Sequence, residues 1–223
     1  MKTKSHYIRE LIARGENQHL DFKFEISDAR KIARTLSAFA NTEGGKLLIG
    51  VKDNGVITGI RTDEEEYMIE SAAHLYCKPK INYAIKKWNV DGRWVLEATI
   101  RKSQNRPHFA QDEEGNWIAF VRVADQNFKA NRIILKVWNN HNKSGGTLLK
   151  YGQEEKALIA YLEMNPFITL SRFTRIANTT RHIAETVLVK MISLNIIDVQ
   201  VTEKGALYKL RSDFNTAEAT ALP

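Results

Sequence analysis

Cysteine is nearly absent from this 223-residue chain, which carries only Cys77 and therefore cannot form an internal disulfide. This usage is typical of proteins in a reducing cytoplasm. The sequence also lacks any apolar run near the ~20 residues that a membrane-spanning helix needs. Its first residues, MKTKSHYIRE, lack the apolar core of a secretory signal. We therefore expect a cytoplasmic protein without membrane association.

Two kinds of ligand site are also missing from the sequence. Cysteine and histidine do not cluster at the spacings of a zinc site. The segment Gly44-Gly45-Lys46 lacks the Ser or Thr that follows the lysine of a P-loop, and it precedes a predicted strand instead of a helix. We interpret this glycine turn as structural, and an ATP-binding switch is the least favoured function.

Acidic residues are outnumbered by basic ones. The chain has 33 Lys and Arg against 26 Asp and Glu, which gives a formal net charge of +7 and a pI near 9.4. Residues 1–145 hold 24 basic against 18 acidic residues, whereas residues 146–223 hold 9 against 8. The excess therefore lies in the first part of the chain, where it favours a polyanionic partner such as nucleic acid.

The polar stretch from Asn139 to Gly146 ends in Ser-Gly-Gly and is typical of a linker between two domains. The predicted layout is a first domain at 1–140, a linker at 141–149, a second domain at 150–211 and a frayed tail at 212–223. The first domain mixes helical segments with hairpin signals such as Asp91-Gly92. This mixture predicts an α+β fold instead of a doubly wound sheet.

Periodicity predicts the elements of the first domain. Helices are expected at roughly 5–14, 28–40 and 63–76, and strands at 19–25, 46–52, 56–60, 81–89, 93–101 and 116–123. The segment from Ile133 to Trp138 is ambiguous between helix and strand.

The second domain has the pattern of a small winged helix. Helices are predicted at Glu154–Met164, Thr169–Ala177 and Arg181–Leu194, followed by β-like runs at Ile196–Val201 and Leu207–Leu210. In a winged helix the third helix reads DNA, so Arg181 would lie at the interface, with Arg172 and Arg175 on the second helix holding the backbone. The alternative is a domain that mediates protein contacts.

Several short strings in a fixed order resemble the Schlafen-like AlbA-2 domain family, once catalogued as a divergent AAA-type ATPase. The strings are Glu16, Asp21-Phe22-Lys23, AFANTEGGKLLIGVKDNG with Gly59, and AFVRVADQNFKAN. The resemblance covers roughly residues 6 to 140. It implies a mixed sheet-and-helix domain, and family members that add a winged helix resemble bacterial transcriptional regulators.

Three carboxylates are candidate catalytic and metal-binding residues. Glu16 and Asp21 lie beside the first predicted strand and Asp53 follows the second, so neighbouring strands would bring them together. Clustered oxygens suit Mg²⁺ or Mn²⁺, which can activate water. The resemblance implies the same positions, because Schlafen ribonucleases use three acidic residues there. The alternative is that all three are solvated acids, with Asp53 serving an Asp-Asn-Gly turn.

Basic residues of the first domain are candidates for a nucleic-acid face. They are Lys23, Lys86, Lys87, Arg101, Lys102 and Arg122, of which Arg122 matches the arginine of the family's Tyr/Phe-x-Arg segment. Lysine and arginine bind phosphates, and interleaved aromatics such as Trp88 stack on unpaired bases. Alternatively, the aromatics belong to the core and the lysines are solvated.

Taken together, these patterns favour a nucleic-acid-binding protein, specifically a bacterial DNA-binding transcriptional regulator. A homodimer is expected because such regulators match two-fold operators. The alternative is a metal-dependent endoribonuclease that acts on structured RNA through the three carboxylates. Whether the chain is an enzyme stays open at this point.

Overall fold

The computed structural model describes residues 4–141 and 151–214, so most of the predicted linker and the end of the predicted tail lie outside the described residues. The chain divides into two compact units, residues 1–130 and 131–223. Helices and sheets are mixed, which confirms the α+β class. Across the described ranges, none of the helices combines the length and apolar character that a membrane crossing needs.

In its described part, the first unit contains three helices and eight strands. The helices are α1 (Lys4–Ala13), α2 (Ala29–Asn41) and α3 (Glu64–His74). The strands are β1 (Leu20–Lys23), β2 (Gly45–Ile49), β3 (Cys77–Lys78), β4 (Tyr83–Val90), β5 (Arg93–Ile100), β6 (Phe109–Gln111), β7 (Trp117–Val123) and β8 (Gln126–Lys129). They form two sheets, with orders β1-β2-β5-β4 and β3-β6-β7-β8.

The first sheet is covered by helices on both faces. Strands β1 and β2 are parallel, so a crossover must join them, and α2 supplies it. Side chains alternate along β2: Leu47 and Ile49 pack into the core that includes α2, whereas Leu48 packs into the core that includes Ile8 of α1. Strands β4 and β5 form the predicted hairpin, and Asp91 and Gly92 both take positive φ in its turn.

The end of α2 is tied to the second sheet by Asn41. Its Nδ2 donates to the carbonyl oxygens of His108 at 2.8 Å and Phe120 at 3.0 Å, and its Oδ1 accepts from the His108 N–H at 2.8 Å. Gly44 follows with φ +77°, and a Cβ there would lie 2.7 Å from the Ile100 carbonyl oxygen. The glycine turn therefore has a packing role.

The predicted return strand at 56–60 is an isolated bridge between Val51 and Ile57. Gly50 and Gly59 both take positive φ and approach so closely that a Cβ on Gly50 would lie 2.8 Å from the Gly59 carbonyl carbon. The backbone bends here instead of continuing a ladder. Strands β3, β6 and β8 were not predicted because they have only two to four residues.

The second unit contains α4 (Arg132–His141), α5 (Gln153–Met164), α6 (Leu170–Ile176), α7 (Arg181–Ser193), β9 (Ile197–Thr202) and β10 (Gly205–Leu210). Its core contains Leu158, Phe173 and Leu188, and the ambiguous segment after residue 131 is the helix α4. Ile168 forms a bridge with Tyr208 of β10. The helices and the hairpin lie where the sequence predicts them, and the winged-helix assignment itself stays a prediction.

Candidate nucleic-acid interface

Two clefts of the first unit contain most of the predicted site residues. The carboxylate cleft, about 620 Å³, is lined by seven acidic and six basic side chains that include Glu16, Asp21, Lys23, Asp53 and Arg122. The basic groove, about 1080 Å³, has a charged lining of Lys46, Lys80, Lys86, Glu97, Arg101 and Lys102. The two clefts therefore differ sharply in charge balance.

Asp21 is the buried carboxylate of the carboxylate cleft. Its Oδ1 accepts a hydrogen bond from Arg122 Nη1 at 3.0 Å, and its Oδ2 lies 2.8 Å from the Lys23 ammonium. Asp21 is 4% exposed and Arg122 is 2% exposed. Such a buried carboxylate is stable only because its charge is paired.

Arg122 is engaged at every nitrogen of its guanidinium. Nε and Nη2 donate to the Asn17 carbonyl oxygen, Nη2 also donates to the Leu20 carbonyl oxygen, and Nη1 donates to Asp21 and to the Asn127 Oδ1. These bonds join β7 to the segment that leads into β1. The structure thus places Arg122 in the interior, where it positions Asp21, and not on an exposed nucleic-acid face.

Glu16 precedes β1 in the chain, and its carboxyl lies close to Asp21. Its Oε1 accepts the Phe22 N–H at 2.8 Å. Burial raises the pKa of the Glu16 carboxyl, the Phe22 N–H lowers it, and the negative charge of Asp21 raises it again, so that the pKa lies above its ordinary value. Neighbouring carboxylates repel one another, and a proton or a cation relieves this repulsion.

Asp53 is exposed in the turn after β2 and lines the same cleft as Glu16 and Asp21. In residues 4–141 and 151–214, no three Asp, Glu, His or Cys side chains are close enough to hold a metal ion as they stand. The buried Oδ2 of Asp21 is already in contact with a cation, the Lys23 ammonium at 2.8 Å. A bound metal ion would take the place of this ammonium, and Glu16 and Asp53 are the residues that would join Asp21.

The basic groove follows one face of the first sheet beside α1. Lys46 of β2, Thr99 of β5 and Ala84 of β4 are aligned across the three strands. Two residues further along, Glu97 of β5 is aligned with Lys86 of β4. Residues two apart along a strand have their side chains on the same face of the sheet. The lysines of β2 and β4 therefore point to the same side of the sheet.

Glu97 is the single carboxylate among the groove residues described, and its charge is already paired. It is 2% exposed and accepts from the Tyr7 hydroxyl at 2.9 Å, from Trp88 Nε1 at 2.7 Å and from the Lys46 ammonium. Burial alone would raise the pKa of the Glu97 carboxyl, but the bonds from Lys46, Tyr7 and Trp88 outweigh it and lower the pKa. The carboxylate therefore does not oppose an incoming phosphate.

The other cations of the basic groove point outward. Lys80, Lys86, Arg101 and Lys102 are all exposed, and no ion pair between described residues engages them. Exposed cations without a carboxylate partner form a surface that attracts phosphates. The predicted residues Lys86, Arg101 and Lys102 are thus brought together here.

Lys87 is separated from Lys86 because adjacent side chains in a strand point to opposite faces. Its ammonium lies 2.6 Å from Asp63 and 3.0 Å from Glu66. The predicted pair is therefore split, and Lys87 lies outside the groove. Lys23 is likewise elsewhere, in the carboxylate cleft.

The three predicted arginines of the second unit are exposed on α6 and at the start of α7. Arg181 lies 3.2 Å from Glu185, and the Arg172 guanidinium lies 5.9 Å from the centre of the Tyr161 ring. Arg175 is in the last turn of α6. Their exposure is compatible with a phosphate contact.

Sequence reasoning missed the roles of Lys46 and Glu97. Lys46 was considered only as part of a glycine turn, although alternation along its strand places it on the face opposite Leu47. Glu97 interrupts the apolar strand WVLEATI, and a lone acid in a buried strand is a signal of a paired charge.

Comparison with known proteins identifies a family for this chain. The sequence model described as Schlafen, AlbA_2 matches residues 16–131. The crystal structure of the DIP2311 protein from Corynebacterium diphtheriae is 20% identical, with a TM-score of 0.48 over 92% of this chain and 37% of that chain. The N-terminal domain of a RecG-related protein from Nitrosomonas europaea is 19% identical, with a TM-score of 0.40 over 59% of this chain and 94% of that domain. The chain thus spans 37% of the length of DIP2311.

Proposed function

The chain belongs to the Schlafen, AlbA_2 family, and from this premise we propose that it is a nucleic-acid-binding protein whose basic groove contacts the phosphate backbone. The observation that supports this proposal is the charge of the groove lining. Five Lys and Arg side chains stand against one carboxylate, Glu97, which is already paired with Lys46. Binding a polyanion here releases counterions without opposing repulsion.

The carboxylate cleft is a weaker candidate for backbone binding. Its seven acidic side chains outnumber its six basic ones, and the most buried cation, Arg122, is engaged internally. A phosphate entering this cleft would meet a lining in which carboxylates outnumber cations. The basic groove is therefore the surface that we assign to the backbone.

Salt dependence tests this function. We expect fluorescence anisotropy to show binding of labelled duplex DNA or structured RNA at low ionic strength. If about four groove cations contact phosphates, log K should fall with log salt with a slope of about −2.8 to −3.6, since each contact contributes about −0.7 to −0.9. Absence of binding at low salt would contradict the proposal.

Within this function we propose the finer role of a homodimeric, DNA-binding transcriptional regulator. The support is the second unit, where Thr180 caps α7 by accepting the Ile183 N–H at 3.3 Å and Arg181 lies exposed beside that cap. A helix start of this kind is where helix-turn-helix proteins contact DNA. If light scattering gives the mass of a monomer, the proposed homodimer is wrong.

The second candidate is a metal-dependent endoribonuclease at the carboxylate cleft. The observation that favours it is the raised pKa of the Glu16 carboxyl beside Asp21, whose buried Oδ2 holds the Lys23 ammonium at 2.8 Å, a position that a metal cation would take. Glu16, Asp21 and Asp53 would hold the cation, and Arg122 would keep Asp21 in position. A bound Mg²⁺ or Mn²⁺ would activate water for attack on a phosphodiester.

Thermal denaturation with Mn²⁺ tests the candidate cation site. We expect Mn²⁺ to raise the Tm of the wild type by a few degrees and to leave Asp21→Asn unchanged, because a cation that binds only the folded state stabilises it. The gain should grow as pH rises through the raised pKa of Glu16, since the metal competes with a proton for that carboxyl.

Glu113→Gln is the control, since Glu113 lines the same cleft in the exposed turn between β6 and β7. It should keep the full Mn²⁺ response. Shortening of RNA that needs Mn²⁺ and is lost in Asp53→Ala would establish the nuclease. No change in Tm and no shortening would eliminate it.

A further inference from the structure

We infer that the basic groove takes an unpaired nucleic-acid strand in preference to a duplex. This inference rests on the proposed function and adds the strand state of the ligand. Three features of the groove support it: its concave shape, its fixed aromatic pair and the position of its exposed cations.

The shape of the groove favours a ligand that enters the protein. Strands β2, β4 and β5 contribute Lys46, Ala84 and Thr99 to one row of its lining, and α1 contributes Tyr7. Ala84 and Thr99 are small, so they leave room above the sheet. A duplex is read by an element that protrudes into its major groove, whereas this surface recedes. A single strand fits a receding groove because it can turn its bases inward.

The aromatic pair Tyr7 and Trp88 lies in the same groove. Their ring centres are 4.9 Å apart at 40°, and Trp88 Nε1 donates to Glu97 at 2.7 Å. The Tyr7 hydroxyl donates to the same carboxylate at 2.9 Å. Glu97 therefore fixes the orientation of both rings before a ligand arrives. Preorganised aromatic rings are what unpaired bases stack on, and paired bases in a duplex do not expose those faces.

The exposed cations lie to one side of this pair along the sheet, toward the start of β4. Lys86 precedes Trp88 by two residues on the same face of β4, and Lys80 lies just before that strand. Arg101 and Lys102 directly follow β5, which pairs with β4. A strand whose bases contact the Tyr7–Trp88 pair could thus run toward the start of β4 with its phosphates beside these positive charges.

Two neighbouring lysines provide a matched test on the full chain. Fluorescence anisotropy would compare a labelled single strand of about 12 thymidines with a duplex of the same length. Lys86→Ala should weaken single-strand binding about fivefold at ~0.1 M salt and reduce the salt slope by about 0.7, the value of one phosphate contact. Lys87→Ala, which removes the same charge from the opposite face, should change neither quantity.

A second pair of variants isolates the stacking ring. Trp88→Phe and Trp88→Ala both lose the indole N–H bond to Glu97, but only the alanine variant loses the ring. We expect Trp88→Ala to bind the single strand roughly tenfold more weakly than Trp88→Phe. Duplex binding should be the same for both variants, and their Tm values would show that both are folded.

The outcomes separate the inference from the proposed function. Losses in Lys86→Ala and Trp88→Ala that affect the single strand more than the duplex support the inference. Equal losses for both ligands, or no loss for the single strand, overturn it while the proposed function stands. Failure of the wild type to bind either nucleic acid overturns both.

Discussion

Arg122→Met is expected to lower the free energy of unfolding by about 3–5 kcal/mol, because it leaves the buried Asp21 carboxylate without its main partner. Both side chains are almost fully inaccessible, and Arg122 also satisfies the carbonyl oxygens of Asn17 and Leu20. A loss of this size should reduce the Tm by roughly 10 °C. Urea denaturation and thermal scans would measure both quantities.

Arg101→Met is the matched control, since it makes the same chemical change at an exposed arginine. It should alter the free energy of unfolding by less than ~0.5 kcal/mol. The double variant Asp21→Leu with Arg122→Met should recover part of the loss, because the unpaired charge is then gone. A single Arg122→Met variant no less stable than Arg101→Met would contradict the positioning role of Arg122.

The second large effect is expected on nucleic-acid affinity. Replacing Lys80, Lys86 and Lys102 together by alanine should weaken binding roughly 100- to 500-fold at ~0.1 M salt, because each lost phosphate contact removes a factor of about five to eight. The slope of log K against log salt should become less steep by about 2 to 3. Anisotropy titrations over a range of salt concentrations would measure both.

The control is a second triple lysine-to-alanine variant, which loses the same three positive charges outside the basic groove. Lys31, Lys52 and Lys129 are exposed and lie outside the basic groove. Their triple alanine variant should lose no more than a few-fold in affinity. Equal losses for the two triple variants would indicate general electrostatic attraction and would contradict a defined groove.

Local signals in the sequence predicted the framework of the first unit. The Asp28 side chain caps α2 by accepting the Arg30 N–H at 2.8 Å, and Asp91-Gly92 forms the turn between β4 and β5. Such features depend on neighbours a few residues away, so periodicity and turn residues reveal them. Strand β3 has two residues and gives no such periodicity.

The chemistry of the two clefts depends on contacts between distant residues. The predicted order of the strands indicated that Glu16, Asp21 and Asp53 would lie close together, and all three line one cleft. It did not reveal that Asp21 is paired with Arg122, which is 101 residues away. The pairing of Glu97 with Lys46 spans 51 residues. Which of Lys86 and Lys87 faces the groove follows from packing against α1, which alternation alone does not specify.

The most direct test of the basic groove is lysine acetylation followed by mass spectrometry, with and without a bound nucleic acid. We expect the ligand to slow acetylation of Lys80, Lys86 and Lys102 and to leave the rates at Lys31 and Lys87 unchanged. The contradicting result is unchanged acetylation of the three groove lysines while lysines of the carboxylate cleft, Lys31 and Lys129, become protected.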